Sequence, residues 1–203
     1  DILLQLLPHI VSSLIYAAMG VHFWHTRWRE SDRPLVTLPM QSWERGVLFG
    51  ALVVQGFGLY QGLFAAGGMR FSFSFAMSLM LWLAVLIYWL ESFHSRMDGL
   101  QPMVLPLAAL GALAPALFPQ LRVIAHAGAW GFQLHFLTAM LAYSLFTLSA
   151  LHAIFMGFAE RKLHQRAITK SLTSLPPILT MEALLFRMIT VAFLLLTVAL
   201  LSG

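Results

Sequence analysis

Two histidines near the ends of one long apolar run are the residues of this chain best suited to chemistry. The run extends from Gln133 to Met156, carries His135 and His152, and leads into the charged Glu160-Arg161-Lys162. An ionisable side chain in a membrane helix is costly and is usually kept for a purpose. A neutral imidazole is also the side chain best matched to a transition metal or to haem iron. At about 1.5 Å per residue the two rings stand roughly 25 Å apart along a helix, so they cannot share one iron. His135 follows a polar loop and opens an apolar helix, so it is either a ligand at the membrane boundary or an interfacial histidine bonded to water. For His152 the alternatives are a ligand and a hydrogen bond to a neighbouring helix.

The remaining candidates are weaker. His126 and His9 fall near the level of His135 and are secondary candidates. His22 and His25 are three apart and share a helical face beside Trp24 and Trp28, as expected of an interfacial aromatic belt. His94 follows Glu91 on one helical face, which predicts a local pair. Gln55 lies at mid-depth in an apolar run, where an amide needs a partner, either another helix or a bound polar group. Gly46 and Gly50, and then Gly58 and Gly62, are spaced by four and predict close helix approach.

The elements that position these residues follow from composition. The chain has 203 residues, 60% hydrophobic and 10% charged, with a mean hydropathy of +0.81. Soluble domains carry about 25% charged residues. The expected fold is therefore all-α, a polytopic transmembrane bundle forming one domain over residues 1–203. Six apolar runs are read as spans: Ile2–Trp24, Gly46–Ala66, Phe73–Phe93, Gln101–Phe118, Phe132–Phe158 and Ala183–Ser202. The fourth is short and holds Pro102, Pro106 and Pro115, which predicts a kinked or partly re-entrant segment. The first run lacks the basic leader and cleavage site of a secretory signal. Because the chain opens on Asp1 and closes on Ser202-Gly203 directly after an apolar run, it is expected to be a segment of a longer protein, cut at both ends.

Charge orients the spans. Arg27, Arg29, Arg33 and Arg45 flank the first loop, Arg96 sits in the third, and Arg161, Lys162, Arg166 and Lys170 lie in the fifth. The second and fourth loops hold only Arg70 and Arg122. The positive-inside rule then makes loops one, three and five cytoplasmic and places the N-terminus, His135 and Gly203 on the outer side. The net charge of +4 resides in these loops and forms no stripe, so nucleic acid is not an expected partner. With no cysteine, disulfides, thiolate metal sites and covalent haem attachment through the chain's own thiols are excluded. No phosphate-binding loop, Ser/His/Asp grouping or paired carboxylates sit in reachable loops, so the chain is not expected to be an enzyme.

Several blocks carry a family resemblance. The segment Leu134-His135 through Tyr143-Ser144 resembles the histidine-led helix of the CcsA/CcmC-related cytochrome c assembly, or haem-handling, superfamily. The segment Leu175-Pro176-Pro177 through Thr180, Glu182, Phe186 and Arg187 resembles the connector and following helix of its YpjD/HemX-like branch. Trp82 to Glu91, and Met97-Asp98-Gly99-Leu100, are similar to the same branch. The resemblance implies an eight-span protein of the bacterial inner membrane that binds haem non-covalently and works with other cytochrome c biogenesis proteins. It transfers the outer haem-ligand role to His135. A second-span position that holds a histidine in the family falls on Gln55, a poor iron ligand. No tryptophan-rich WWD-type segment is present, so delivery of haem is less strongly implied than haem association. The other reading from the sequence is a cofactor-free accessory or regulatory membrane protein acting on tetrapyrrole synthesis or on an assembly complex. In the connector, Pro176-Pro177 should hold the chain extended, with Thr180 capping the last span and Glu182 in its first turn.

Overall fold

A computed structural model describes residues 2–28, 40–64, 70–94, 100–119, 122–123, 129–166 and 175–203. Its helices are α1 (Ile2–Phe23), α2 (Ser42–Phe64), α3 (Phe73–Glu91), α4 (Gln101–Leu117), α5 (Trp130–Arg166) and α6 (Leu175–Ser202), with a π-helical turn at Trp24–Trp28 after α1. Five of them are long and apolar enough to cross a membrane. The exception is α4, whose 17 residues give about 26 Å against a hydrocarbon core of roughly 30 Å.

The prolines of α4 lie within one continuous helix, and those of the connector act differently from the sequence expectation. In α4, Pro102 occupies the first turn while Pro106 and Pro115 lie inside a continuous helix. Proline is tolerated in a first turn because the N–H it lacks would have no helical partner there. Pro106 lies against α1 at Gly20, where an added Cβ would meet Leu105 Cβ at 3.4 Å and Pro106 Cδ at 3.7 Å. Ser13 Oγ of α1 donates to the Ala109 carbonyl at 2.8 Å. In the connector, α6 already begins at Leu175. Pro176 and Pro177 thus start the helix rather than hold the chain extended, and Thr180 lies inside it rather than at its cap. A fixed φ near −65° is already helical, which is why proline suits this position.

Helices α1 to α4 form a four-helix group in which α1 packs on α2 and α4, and α3 packs on the same two. Helix α5 lies on α3, and α6 lies on α5. The core runs through this group and on to α5, with Tyr16, Phe23, Leu48, Tyr88 and Leu105 of the group and Leu148 of α5 fully buried. Polar side chains stitch helix to helix inside it. Trp82 Nε1 donates to the Leu52 carbonyl at 2.8 Å, and Ser144 Oγ donates to the Met80 carbonyl at 2.7 Å. In an apolar medium a backbone carbonyl is the partner most available to such groups.

One element was not foreseen. Arg70–Phe71 and Arg122–Val123 form a two-stranded antiparallel ribbon, β1 and β2, with Arg70 opposite Val123 and Phe71 opposite Arg122. It joins the α2–α3 and α4–α5 connections at the end of the bundle where α5 begins. Phe71 meets Phe136 of α5 edge to face, with ring centroids 5.7 Å apart.

Candidate ligand site

The antiparallel pair α5–α6 carries both histidines of the opening run, and each bonds to α6. Near the start of α5, His135 Nδ1 lies 3.1 Å from Ser202 Oγ. Two-thirds of the way along, His152 Nε2 lies 2.9 Å from the Met181 carbonyl. A carbonyl only accepts, so His152 Nε2 carries the proton and Nδ1 is bare. The environments of the two rings differ. His152 is buried to 1% exposure, whereas the His135 bond lies at an exposed position. The helix-to-helix bond foreseen for His152 is therefore present, and its ring lies between packed helices.

At His135 the other ring nitrogen is open. Nε2 has no hydrogen-bond partner among the described residues, and the chain passes beside it at Gly203. A Cβ added there would stand 2.7 Å from His135 Cε1 and 3.3 Å from Nε2. An imidazole with one nitrogen bonded to a neighbouring helix and the other without a bond among the described residues is chemically able to ligate a metal.

The same end of the bundle holds an apolar cleft of about 510 Å³ between α2, α3 and α5. Gly56, Tyr60, Trp82, Trp130, Gln133 and Phe136 are among its walls. Leu134 and Phe136 face it, but His135 between them does not line it. The ring is turned toward α6, so cleft and imidazole are neighbouring features on different faces of α5.

The other sequence candidates separate from this site. His126 lies outside the described residues. His9 is buried at 1% exposure and packs edge to face on Phe75, with centroids 5.5 Å apart, against Gly58. It belongs to the α1–α2–α3 interface, on other elements than His135. Gln55 Nε2 donates to Ser78 Oγ at 3.1 Å, so another helix supplies its partner. His94 donates its backbone N–H to the Glu91 carbonyl at 3.0 Å, but its ring does not pair with the Glu91 carboxylate. Its ring turns to the Leu90 carbonyl at 3.5 Å, while Glu91 takes Arg187 of α6 at 3.0 Å. Of the glycine pairs, Gly58 and Gly62 make close approaches, but Gly46 and Gly50 meet nothing within 4 Å. No group of three or more His, Cys, Asp or Glu gathers among the described residues.

At the opposite end is an assembly the sequence reading missed. Glu44 accepts from His22 Nε2 at 2.8 Å, from both terminal nitrogens of Arg27 at 2.8 Å, and from the Gln41 amide at 2.9 Å. The Arg27 guanidinium also lies over the Phe23 ring, 4.6 Å from its centroid. His22 therefore faces Glu44 and Trp43, while His25 is exposed. The π turn at Trp24–Trp28 brings Arg27 to the head of α2. The signal in the sequence was a lone carboxylate directly ahead of the apolar run of α2. A charge at that position needs a partner on another helix.

Five membrane-length helices joined by buried polar stitches define a multi-pass membrane protein. The family model described as "Cytochrome C assembly protein" matches residues 47–203, and the chain belongs to that family. The matched span runs from Val47, in the second turn of α2, to Gly203 and includes His135, Ser202 and Gln55. No curated protein and no solved structure matches the chain.

Proposed function

We propose that this protein is a non-enzymatic haem-handling component of cytochrome c biogenesis, with His135 as an axial ligand to non-covalently bound haem. The carrying observation is the imidazole of His135, bonded through Nδ1 to Ser202 of α6 within the region that matches the family. In this reading the protein lies in a bacterial inner membrane, with the His135 end periplasmic, and it acts with other biogenesis proteins. Loop charge supports that orientation, because Arg27 and Arg45 lie at the opposite end. The YpjD/HemX-like branch agrees with the connector and the absence of a WWD-type segment. His152 and His126 are secondary candidates; the bond of His152 to Met181 favours a packing role for it. Purified full-length protein is expected to show a Soret band that His135→Ala weakens. Full haem occupancy in that variant removes His135 from the assignment.

A second reading rests on Gln55, which stands where the family carries a histidine and is bonded to Ser78. In it the protein is a cofactor-free accessory or regulatory partner in tetrapyrrole synthesis or in an assembly complex. Haem-free protein that co-purifies with a defined biogenesis partner supports this reading over the first.

A further inference from the structure

We propose that the apolar cleft between α2, α3 and α5 is a lipid site, which seats one acyl chain of an anionic phospholipid with its headgroup beside Arg70. The inference does not depend on haem. Helices α2 and α5 flank α3 without packing closely on each other, so α3 is the floor of a groove. Tyr60 on one wall and Leu134 on the other are exposed, and the groove opens sideways from the bundle. Its volume of about 510 Å³ falls within the range of ligand clefts, roughly 300–1,000 Å³. Two local features keep the floor apolar. Trp82 turns its one polar atom away, donating Nε1–H to the Leu52 carbonyl at 2.8 Å. Gly56 lets the indole lie against α2, since a Cβ there would stand 3.1 Å from Trp82 Cζ2. An apolar groove open to the bilayer among membrane-length helices meets hydrocarbon, and an acyl chain is what fills it.

Charge at the end of the groove selects the lipid. Trp130, at the head of α5, is exposed on the groove wall, as befits an aromatic at the membrane surface. Phe71 of β1 packs on Phe136 of the same wall, with centroids 5.7 Å apart, and β1 lies against α2. Arg70, next to Phe71 in that strand, therefore sits at the surface end of the groove, and Arg122 stands opposite Phe71 in the ribbon. Among the described residues the carboxylates, Glu44, Glu91, Glu160 and Glu182, all lie toward the opposite ends of their helices. The charge at this end is positive, which complements a headgroup of net negative charge. Lipid tails are as apolar as the groove walls, so burial of the chain discriminates little between lipids. The headgroup must supply the preference.

The test is tryptophan fluorescence of the full-length protein in bilayers that carry a minor fraction of chain-brominated lipid, either phosphatidylglycerol or phosphatidylcholine with the same chains. Brominated phosphatidylglycerol is expected to quench at roughly fivefold lower mole fraction than brominated phosphatidylcholine, and high salt should narrow the gap. Trp130→Phe, at an exposed position that leaves the core untouched, should remove much of the extra quenching, and Trp82→Phe the rest. Arg70→Gln should bring the two lipids together, whereas Arg70→Lys should keep them apart. Equal quenching by both lipids in the wild type means surrounding bilayer lipid only and overturns the proposal. So does a phosphatidylglycerol preference that survives Arg70→Gln, or one that survives loss of both tryptophans. Absence of any quenching attributable to Trp82 and Trp130 means that protein covers the groove, and it overturns the proposal as well.

Discussion

Arg27 and Glu44 meet in two parallel hydrogen bonds of 2.8 Å, with side chains only 4% and 1% exposed. The pair joins the π turn after α1 to the head of α2, and His22 and the Gln41 amide fill the remaining carboxylate positions. Removing one partner of a buried pair leaves an uncompensated charge, which costs about 3–5 kcal/mol. Glu44→Ala is expected to show a loss of that size in unfolding of the detergent-solubilised protein. The Arg187–Glu91 pair is a control, since its arginine is 59% exposed; Arg187→Ala should cost at most about 1 kcal/mol. Equal effects of the two substitutions would contradict the burial argument.

The glycines of α2 divide by surroundings. A Cβ at Gly62 would overlap the Phe75 ring, and one at Gly58 would stand 2.9 Å from Pro8 Cβ. Gly62→Ala and Gly58→Ala should therefore each destabilise by about 1–3 kcal/mol through overpacking. Gly46→Ala and Gly50→Ala should be neutral or stabilising by up to about 1 kcal/mol, because alanine is the better helix former. A thermal-unfolding series of the four variants checks the ordering.

Gln55 Nε2 and Ser78 Oγ form a buried hydrogen-bonded pair. Ser78→Ala alone strands a buried amide donor, expected to cost about 1–3 kcal/mol. Adding Gln55→Leu to that variant should recover most of the loss, because both polar partners are then gone. A double-mutant cycle reads the coupling directly. A strictly additive result would show that the bond contributes nothing.

His152 is expected to act in packing. His152→Ala should lower stability by about 2–4 kcal/mol through the cavity it leaves, with haem content per folded molecule unchanged. A Soret band lost from a variant of unchanged stability would instead make His152 a ligand.

Much of the helical layout was legible because a bilayer permits few solutions. Apolar runs of near-membrane length must satisfy their own backbone groups, and helices do so. Hence Ile2–Phe23 and Phe73–Glu91 nearly coincide with the runs read from hydropathy. Boundaries failed where local chemistry has two outcomes. Pro176-Pro177 breaks a helix from within but begins one from outside, and the sequence does not say which side the helix lies on. The ribbon at Arg70–Phe71 and Arg122–Val123 was illegible because strands of two residues carry no periodicity.

The sequence by itself determined the membrane class, the family blocks, and a histidine at the head of α5. It did so because hydropathy, loop charge and motif spacing are local properties. Tertiary structure alone decided what each polar side chain meets. It set His135 against Ser202, His152 against Met181, Gln55 against Ser78, and Glu44 against Arg27 and His22. Those partners lie between 17 and 67 residues apart in the chain. Their meeting depends on which helices adjoin and in what register. In an apolar medium that choice is driven by the need of each buried polar group for a partner.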